Sequence, residues 1–583
     1  MDSKRPDPPE DRPTPASLSH PVSPPLKRRR LADPEPAPQQ APVVEGEKPA
    51  AAARFPSPFK LTRIRDLPPA LNRDCIALKD LLGDPLISEC WQFNYLHDID
   101  FLLAALDEDV RRLVKVHIVH GFWKREDPSR LALQDAASRH ANVTLHAAFM
   151  PEMFGTHHSK MMVLFRHDDT AQVVIHTANM ILRDWTNMTQ AAWVSPRMPL
   201  LPSAAGGREG SADAEMGSGE RFKADLLRYL RSYDARRPTC KALADRLVRY
   251  DFSAVRGALV ASVPGRHHLE DAAGLFGWPA LEQALRSVPV SPGPAEIAIQ
   301  VSSIATLGPT DAWLRGTFFN ALAKGRGPSG TAPNGSSTSP PPPPPQQQQP
   351  PQPQAQAQPK PTLKVIFPTA DEIRRSLDGY TSGGSIHTKI SSPQQARQLA
   401  YLRPLFCHWA NDSGLSDDGT VAGGSASAGG VSHDAKELDA GRRRAAPHIK
   451  TYIRFAGQDN GGSGAPRTID WALLTSANLS KQAWGEAVTS AGEVRVASYE
   501  IGVLVWPGLY GEGATMRPTF QTDWPDEKAE DEHEADGGEN KAAVVALRMP
   551  YSLPLRPYGK TEVPWVATMS HHEPDWMGQV WNV

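Results

Sequence analysis

Residues 155–160 read Gly155-Thr-His-His-Ser-Lys160, and a related sequence occurs near residue 450. The first continues as Met161-Met-Val-Leu-Phe165, and the second reads His448-Ile-Lys-Thr-Tyr-Ile-Arg-Phe455. Counted from His158 and from His448, Lys follows after two residues and Phe after seven. The same spacing in two distant places indicates an internal duplication.

An apolar run that ends in Ala-Asn follows each stretch. The first run is Val173-Val-Ile-His-Thr-Ala-Asn179 and the second is Ala472-Leu-Leu-Thr-Ser-Ala-Asn478, with a Trp six residues after each Asn. The distance from His to Asn is 21 residues in the first copy and 30 in the second. The additional residues fall in the Gly- and Ser-rich segment 457–466, where extra loop length costs little free energy.

The paired residue types suit chemistry on a phosphate. A His-x-Lys pair that leads into apolar residues predicts a β-strand, in which both side chains point to the same face. The lysine charge neutralises phosphate oxygens and disfavours protonation of the imidazole, which therefore stays nucleophilic. An Asn at the end of a neighbouring strand adds an amide donor for the same oxygens. Two facing half-sites would let one imidazole attack phosphorus in line while the other protonates the leaving oxygen.

A third His-x-Lys pair, His387-Thr-Lys389, has the same spacing in a different context. It follows glycines, leads into Ser391-Ser-Pro393 instead of an apolar run, and the next Asn is Asn411. A single His-x-Lys is usually half-exposed surface. We therefore predict that this third pair is not a half-site.

The duplicated residues resemble the phospholipase D superfamily, in which two His-Lys half-sites build one active site. The superfamily pattern has an Asp five residues after each Lys, where this sequence has Phe165 and Phe455. That departure is typical of the tyrosyl-DNA phosphodiesterase branch. Other stretches that resemble this branch include Asn94-Tyr95, Met153-Phe-Gly-Thr-His-His158, Ser302-Ser-Ile-Ala-Thr-Leu-Gly308, Thr475-Ser-Ala-Asn-Leu-Ser-Lys-Gln-Ala-Trp-Gly485 and Ser498-Tyr-Glu-Ile-Gly-Val-Leu504.

The resemblance implies an α/β fold of two similar α-β-α sandwich domains of the phospholipase D type, which form one pseudo-symmetric active site. We predict a disordered tail over 1–57, an N-terminal domain over 58–276 with the first half-site, and a C-terminal domain over 277–583 with the second. The tail is rich in Pro and Glu and poor in large apolar residues, which is typical of disorder. Low-complexity insertions are predicted in the second domain at 325–361, 411–446 and 526–540.

The resemblance also implies a role for each residue of the site. His158 would be the nucleophile, a choice that the symmetry of the sequence alone leaves open. His448 would protonate the leaving tyrosine oxygen and then activate water. The residues that would hold the non-bridging phosphate oxygens are Lys160, Lys450, Asn179 and Asn478. The residues that would orient the imidazoles, if they are not ordinary hydrogen-bonding groups at strand ends, are Gln190 and Glu500.

DNA contacts are predicted where a strand gives way to a loop. Small hydroxyl residues and backbone amides there suit phosphate contacts without base readout. These residues are Ser303, Ile304, Ala305 and Thr306, and the resemblance adds Ser480. Two aromatic residues could stack on bases, with core packing as the alternative for each. They are Phe154 and Tyr95.

Composition restricts the remaining properties of the chain. The net charge is −2, so binding of DNA must depend on a local groove. The four cysteines show no Cys-x-x-Cys spacing, which argues against a zinc site, and we expect neither a metal nor another cofactor. No apolar run reaches the roughly 20 residues that span a bilayer. The basic run Lys27–Arg30 predicts import into the nucleus.

The leading hypothesis is a DNA-repair phosphodiesterase that hydrolyses the 3′-phosphotyrosyl bond between DNA and a peptide derived from topoisomerase I, and acts on other 3′ blocking groups too. The expected partners are single- and double-stranded DNA with such ends, and a duplicated site within one chain implies a monomer. The alternatives are a phospholipase D-like lipid phosphodiesterase and an inactive scaffold that binds DNA ends. The missing Asp pair opposes the first alternative, and the two intact half-sites oppose the second.

Overall fold

The computed structural model describes residues 53–202, 207–271, 274–327, 359–411, 437–457, 467–525 and 542–583. The strands are β1 (Arg54–Phe55), β2 (Phe59–Leu61), β3 (Ile87–Phe93), β4 (Lys115–His120), β5 (Val143–Ala147), β6 (Met161–Arg166), β7 (Thr170–His176), β8 (Ala191–Val194), β9 (Met198–Pro199), β10 (Ala258–Ser262), β11 (Gly265–His268), β12 (Glu296–Gln300), β13 (Thr362–Ile366), β14 (Phe406–Cys407), β15 (Thr451–Phe455), β16 (Ile469–Thr475), β17 (Glu493–Val496), β18 (Glu500–Val505), β19 (Thr515–Thr519) and β20 (Val544–Arg548).

Helices connect most of these strands. They are α1 (Leu78–Leu82), α2 (Ile99–Ala105), α3 (Pro128–Ser138), α4 (Gly219–Arg231), α5 (Lys241–Leu247), α6 (Trp278–Arg286), α7 (Phe319–Leu322), α8 (Ala370–Arg374), α9 (Tyr380–Gly383), α10 (Pro393–Leu402) and α11 (Lys481–Trp484). Among the described residues, no helix is both long and apolar enough to cross a membrane.

Two large sheets repeat one topology. The first has the order β2-β8-β7-β6-β3-β4-β5, and the second has the order β10-β18-β16-β15-β12-β13-β14. Matching positions also have matching directions: β3-β4-β5 and β12-β13-β14 are parallel, whereas β6 and β15 run antiparallel to β3 and β12. The duplication seen in the sequence is therefore a duplication of the sheet, and the α/β architecture predicted from sequence is confirmed.

The core is layered around these sheets. In β6, Met162 and Leu164 pack with α1, α2 and α3, whereas Val163 and Phe165 face a central core. That core also holds residues of the second sheet, such as Ile453 and Phe455, together with α4 and α5. Both faces of the strands are thus buried, which explains their nearly continuous apolar sequences. A carboxylate in place of Phe165 or Phe455 would be buried among apolar side chains, at high cost.

The His-x-Lys pairs differ in one respect from the predicted strand positions. The strands begin at Met161 and Thr451, one residue after each lysine, so the pairs lie in the segments that enter β6 and β15. The asparagines follow β7 and β16 in the same way, three residues after each strand ends. Because β6 pairs with β7 and β15 with β16, each His, Lys and Asn set meets at one end of its sheet.

Only parts of some predicted segments lie within the described residues. Most of the predicted tail and of the three predicted insertions lies outside the described residues. At the end of the second insertion, residues 437–446 are packed, and Arg442 is buried and donates hydrogen bonds to the carbonyl oxygens of Thr62 and Leu71. The strand β10, near the predicted boundary between the domains, pairs with β18 in the second sheet.

Candidate active site

Each histidine is held by a side chain from the opposite half of the chain. The His158 Nδ1 lies 2.9 Å from Oε2 of Glu500, the first residue of β18. Ser476 donates its hydroxyl proton to the same carboxylate oxygen. A carboxylate at Nδ1 keeps the ring proton on that nitrogen, so that Nε2 carries the free lone pair. The contact therefore prepares His158 Nε2 for attack.

The His448 ring has two partners at Nδ1, both from the first half. The Gln190 amide nitrogen lies 2.9 Å from this atom, and an Asp184 carboxylate oxygen lies 3.2 Å from it. Gln190 immediately precedes β8, and its amide oxygen contacts the Thr177 hydroxyl at 2.7 Å. The environments of the two histidines are thus different, although the sheets that carry them are alike.

Backbone hydrogen bonds also join each histidine to the opposite half of the chain. The His158 N–H donates to the Tyr499 carbonyl oxygen at 3.0 Å, next to Glu500. The His448 N–H donates to the Thr189 carbonyl oxygen at 3.1 Å, next to Gln190. Each catalytic segment is therefore fixed to the strand that supplies its partner side chain. We call these two sets of contacts the crossed braces.

The lysines are buried beneath the histidines. Lys160 and Lys450 are both 0% exposed, and the ammonium group of each donates a hydrogen bond to the carbonyl oxygen of the histidine two residues before it. Burial lowers the pKa of Lys160 to about 8, while Glu500 and Asp184 oppose that shift. Burial and the charge of Lys160 lower the pKa of Lys450 well below its usual range. A bound phosphate would stabilise both ammonium ions in their charged forms.

The histidines are close enough to act on one another. Burial lowers the pKa of His448, and the charges of Lys450, Lys160 and His158 lower it further. Burial also lowers the pKa of His158, whereas Glu500 opposes this shift. Burial raises the pKa of Glu500, but His158, Lys160 and Ser476 together outweigh that effect and the net shift is downward. The site thus favours a neutral imidazole beside a charged carboxylate.

The two asparagines are held by different contacts. The Asn478 side-chain oxygen accepts hydrogen bonds from the backbone N–H groups of Ser302 and Ser303, at 3.1 and 2.9 Å. This leaves the amide nitrogen as the donor for an anion. Asn179 is also buried, and its backbone N–H donates to Asp184 at 2.6 Å. The structure therefore brings together the whole predicted set of His158, His448, Lys160, Lys450, Asn179, Asn478, Gln190 and Glu500.

The neighbour His157 is buried in the protein and fully hydrogen-bonded. Its ring nitrogens contact the Asn94 carbonyl oxygen and the Tyr233 hydroxyl, both at 3.0 Å. The chain of hydrogen bonds continues from Tyr233 to Tyr229 at 2.7 Å and from Tyr229 to the Ser159 hydroxyl. These buried groups connect α4 to the segment that carries His158.

A cavity of about 490 Å³ is lined by the predicted DNA contacts Phe154, Ser303, Ile304, Ala305 and Thr306. Lys389, Lys481 and Arg495 also line it. Arg495 is paired with Glu152 at 2.6 Å and with Glu486 at 3.1 Å. The N–H groups of Ser303, Ile304 and Ala305 donate within the protein, so the groups that suit a phosphate backbone are the basic side chains and the hydroxyls, which bind its charge without reading bases.

The two predicted aromatic contacts differ in position. Phe154 is 78% exposed at the cavity and has a φ of 64°, a left-handed conformation that bulky residues rarely adopt. Such strain occurs mostly where function requires it. Tyr95 is 37% exposed, and its ring lies 6.0 Å from the His158 ring and 6.3 Å from that of Phe122. It therefore lies beside His158 and not among the residues that line the cavity.

Ser480 is placed differently from the predicted direct contact. Its side-chain oxygen accepts a hydrogen bond from the Ala483 N–H at 3.0 Å, which caps the N-terminus of α11. The residues of the cavity are the next two, Lys481 and Gln482. Ser480 therefore positions the basic turn that follows it.

The sequence missed two features of this site. The pair His387 and Lys389, set aside as unrelated, lines the cavity, and the His387 carbonyl oxygen accepts a hydrogen bond from the Ile304 N–H at 2.9 Å. Unlike the two half-site pairs, this pair leads into the helix α10 and not into a strand, so it is no third half-site, but it borders the site. Asp184 is the second feature, and its distance of five residues from Asn179 is matched by Ala483 after Asn478. Comparison of the two copies for shared residues therefore does not find Asp184.

Comparisons with known proteins agree with this geometry. The sequence model of the family described as tyrosyl-DNA phosphodiesterase matches residues 58–559. A probable tyrosyl-DNA phosphodiesterase of Schizosaccharomyces pombe is 30% identical over 594 residues, which cover 90% of this chain and 95% of the relative. Tyrosyl-DNA phosphodiesterase 1 of Drosophila melanogaster is 30% identical over 525 residues, which cover 87% of this chain and 73% of the relative.

Solved structures show the same fold. A crystal structure of the yeast tyrosyl-DNA phosphodiesterase superposes with a TM-score of 0.55 at 19% identity, covering 88% of this chain and 99% of the yeast chain. The repeated sheets, the crossed braces and the match over most of the sequence thus agree with the resemblance inferred from the motifs. The chain therefore belongs to the tyrosyl-DNA phosphodiesterase family, as a phosphodiesterase of DNA repair.

Proposed function

We propose that the chain hydrolyses the 3′-phosphotyrosyl bond between DNA and a peptide left by topoisomerase I, through a covalent phosphohistidine on His158. The observation that carries this proposal is the crossed bracing, which gives one imidazole a carboxylate partner and the other a different environment. In the first step, His158 Nε2 bonds to phosphorus, the bond from phosphorus to the tyrosyl oxygen breaks, and His448 gives its Nε2 proton to that oxygen.

The second step releases the DNA. His448 Nε2 takes a proton from water, the water oxygen bonds to phosphorus, and the bond to His158 breaks to leave a 3′-phosphate. The non-bridging oxygens carry negative charge in both steps, and the groups that stabilise it are Lys160, Lys450, Asn179 and Asn478. The two halves, 58–276 and 277–583, would each contribute one half-site to a monomer that acts in the nucleus.

Chelator resistance is the first test of this chemistry. With a 3′-phosphotyrosyl oligonucleotide, turnover is expected to be unchanged in excess EDTA, because the lysines supply the positive charge that a metal would otherwise supply. Vanadate should inhibit turnover, since it adopts the five-coordinate geometry of phosphorus under in-line attack. Release of tyrosyl peptide is measured on sequencing gels with a 5′-labelled oligonucleotide.

The same assay separates the alternatives. A lipid phosphodiesterase would leave the oligonucleotide intact and cleave phosphatidylcholine vesicles instead. A scaffold would bind the oligonucleotide in a filter assay without cleaving it. Loss of turnover in EDTA that added Mg²⁺ restores would contradict the metal-independent route.

The cavity provides a second test, which concerns DNA binding alone. Lys389→Ala combined with Lys481→Ala is expected to weaken binding of a single-stranded oligonucleotide. The salt dependence should also flatten, by about 0.7 in the slope of log K against log salt for each phosphate that is no longer neutralised. Cleavage at saturating DNA should change little, because neither lysine contacts the reacting phosphate.

Lys241→Ala is the matched control for the cavity lysines. Lys241 lies exposed on α5, paired with Asp245, and does not line the cavity. Its loss removes one positive charge, as each of the two substitutions in the cavity does. An equal effect of Lys241→Ala on affinity and salt slope would show that the cavity is not the DNA site.

A further inference from the structure

Asp184 is a buried carboxylate in contact with His448, and the two-step scheme above gives it no role. Its side chain is 0% exposed, and one oxygen lies 3.2 Å from His448 Nδ1 and 2.6 Å from the Asn179 N–H. The other oxygen has no hydrogen-bond partner among the described residues. A buried carboxylate with so few partners is costly unless a cation or a proton donor compensates for it.

We propose that Asp184 is the positioning residue of His448: it accepts the Nδ1 proton of the ring and so allows His448 to carry and deliver a proton at Nε2. This inference rests on the proposed function, because it concerns the proton that His448 transfers there. It assigns Asp184 a part in both steps without contact to the substrate.

The two steps require particular protonation states of the two His448 ring nitrogens. To protonate the tyrosyl oxygen from Nε2 and remain neutral afterwards, the ring must hold a second proton on Nδ1. That proton needs an acceptor throughout the cycle. In the second step the same Nδ1–H keeps Nε2 unprotonated, so that Nε2 takes the proton from water.

Gln190 alone cannot impose this state. Its amide nitrogen faces Nδ1 at 2.9 Å and its amide oxygen accepts from the Thr177 hydroxyl, but a hydroxyl can also accept, so the reversed amide would keep a partner at both ends. It is therefore compatible with both forms of Nδ1. Burial raises the pKa of Asp184, whereas the Asn179 N–H and the charges of Lys450 and Lys160 oppose that shift. In its ionised form the carboxylate only accepts, so it selects the ring that is protonated at Nδ1.

Charge supports the same assignment. Apart from burial, the groups that disfavour protonation of His448 are the ammonium groups of Lys450 and Lys160 and the rings of His158 and His387. Arg183 also lies near Asp184, and Glu500 is committed to His158. Asp184 is thus the carboxylate in direct contact with the His448 ring. Together with Glu500 it also balances the two buried ammonium groups of Lys160 and Lys450.

The test compares two leaving groups in Asp184→Asn, an isosteric change that keeps an acceptor but removes the charge. We expect kcat/KM for the 3′-phosphotyrosyl oligonucleotide to fall about 100-fold, because a phenol of high pKa needs the proton. The 3′-(4-nitrophenyl phosphate) oligonucleotide should lose less than about 10-fold, since its leaving group departs without one. Its turnover also shows that the variant is folded.

The pH profile gives an independent readout. A neighbouring anion raises the pKa of an imidazole, so its removal lowers the pKa of His448 and protonated His448 persists only at lower pH. The descending limb of kcat/KM for the phosphotyrosyl substrate should therefore move to lower pH by about 1–3 units. Asp66→Asn is the control, because Asp66 contacts Asn187 at 2.6 Å beside the same turn but not His448.

The outcomes separate this inference from the function on which it rests. Equal losses on both substrates, or an unmoved descending limb, would overturn the role of Asp184 while the wild-type activity stands. A wild-type protein that leaves the phosphotyrosyl oligonucleotide intact would instead overturn the proposed function. Matching effects in Asp66→Asn would show that the turn as a whole is sensitive to change.

Discussion

The His158→Ala variant is expected to lose turnover of a 3′-phosphotyrosyl oligonucleotide by roughly four orders of magnitude or more, since it removes the attacking atom. Binding of DNA should persist, because the cavity that holds it is lined by other residues. Single-turnover assays on sequencing gels measure the first quantity, and fluorescence anisotropy with labelled DNA measures the second. Denaturing gels should show no protein–DNA adduct.

The distribution of adducts decides which histidine attacks. If His448 were the nucleophile, His158→Ala would accumulate DNA on His448, and the proposed roles would be reversed. The structure favours His158, because Glu500 leaves Nε2 of that ring with a free lone pair. An adduct in His158→Ala that survives denaturation would contradict this assignment.

The second large effect is expected in His448→Ala, which should accumulate a covalent DNA adduct on His158. Tyrosine departs with a pKa of about 10, whereas water has a far higher pKa and must be deprotonated as it attacks. Attack therefore tolerates the loss of His448 better than hydrolysis does, and we expect hydrolysis to slow about 10²–10⁴-fold. Labelled DNA should migrate with the protein on denaturing gels within one turnover.

His448→Arg is expected to behave similarly, because an arginine cannot accept the proton from water at neutral pH. The matched control is the double variant His158→Ala with His448→Ala, which should form no adduct. A phosphoramidate to histidine is labile in acid and stable in alkali, and this identifies the bond. A single variant that leaves free DNA on the gel would contradict the role of His448 in the second step.

Sequence alone predicts much of this architecture because the duplication is local. The spacing between His158, Lys160 and Asn179 is set by one strand and its neighbour, and the second copy repeats it. The absence of the superfamily Asp is also visible in the sequence, and its physical reason is that Phe165 faces an apolar core. The family and the α/β fold follow from those residues.

The side-chain contacts between the two halves are harder to predict from the sequence, for a physical reason. Glu500 and Gln190 occupy corresponding strand ends in the two sheets, yet each acts on the histidine of the other half. The order of residues along a chain does not show which half supplies the partner of each histidine. The duplication does not reveal Asp184, because the corresponding residue of the second copy is Ala483. It does not reveal His387 either, because no apolar strand sequence follows that residue.

The crossed braces have a consequence for how such a site can originate. In a symmetric dimer of two identical chains, the symmetry axis would give both imidazoles the same neighbours and therefore the same proton affinity. Fusion into one polypeptide frees the copies to diverge, so that a glutamate faces one ring while a glutamine and an aspartate face the other. Division of labour between attacker and proton donor is thus a property that only a joined, unequal pair can encode.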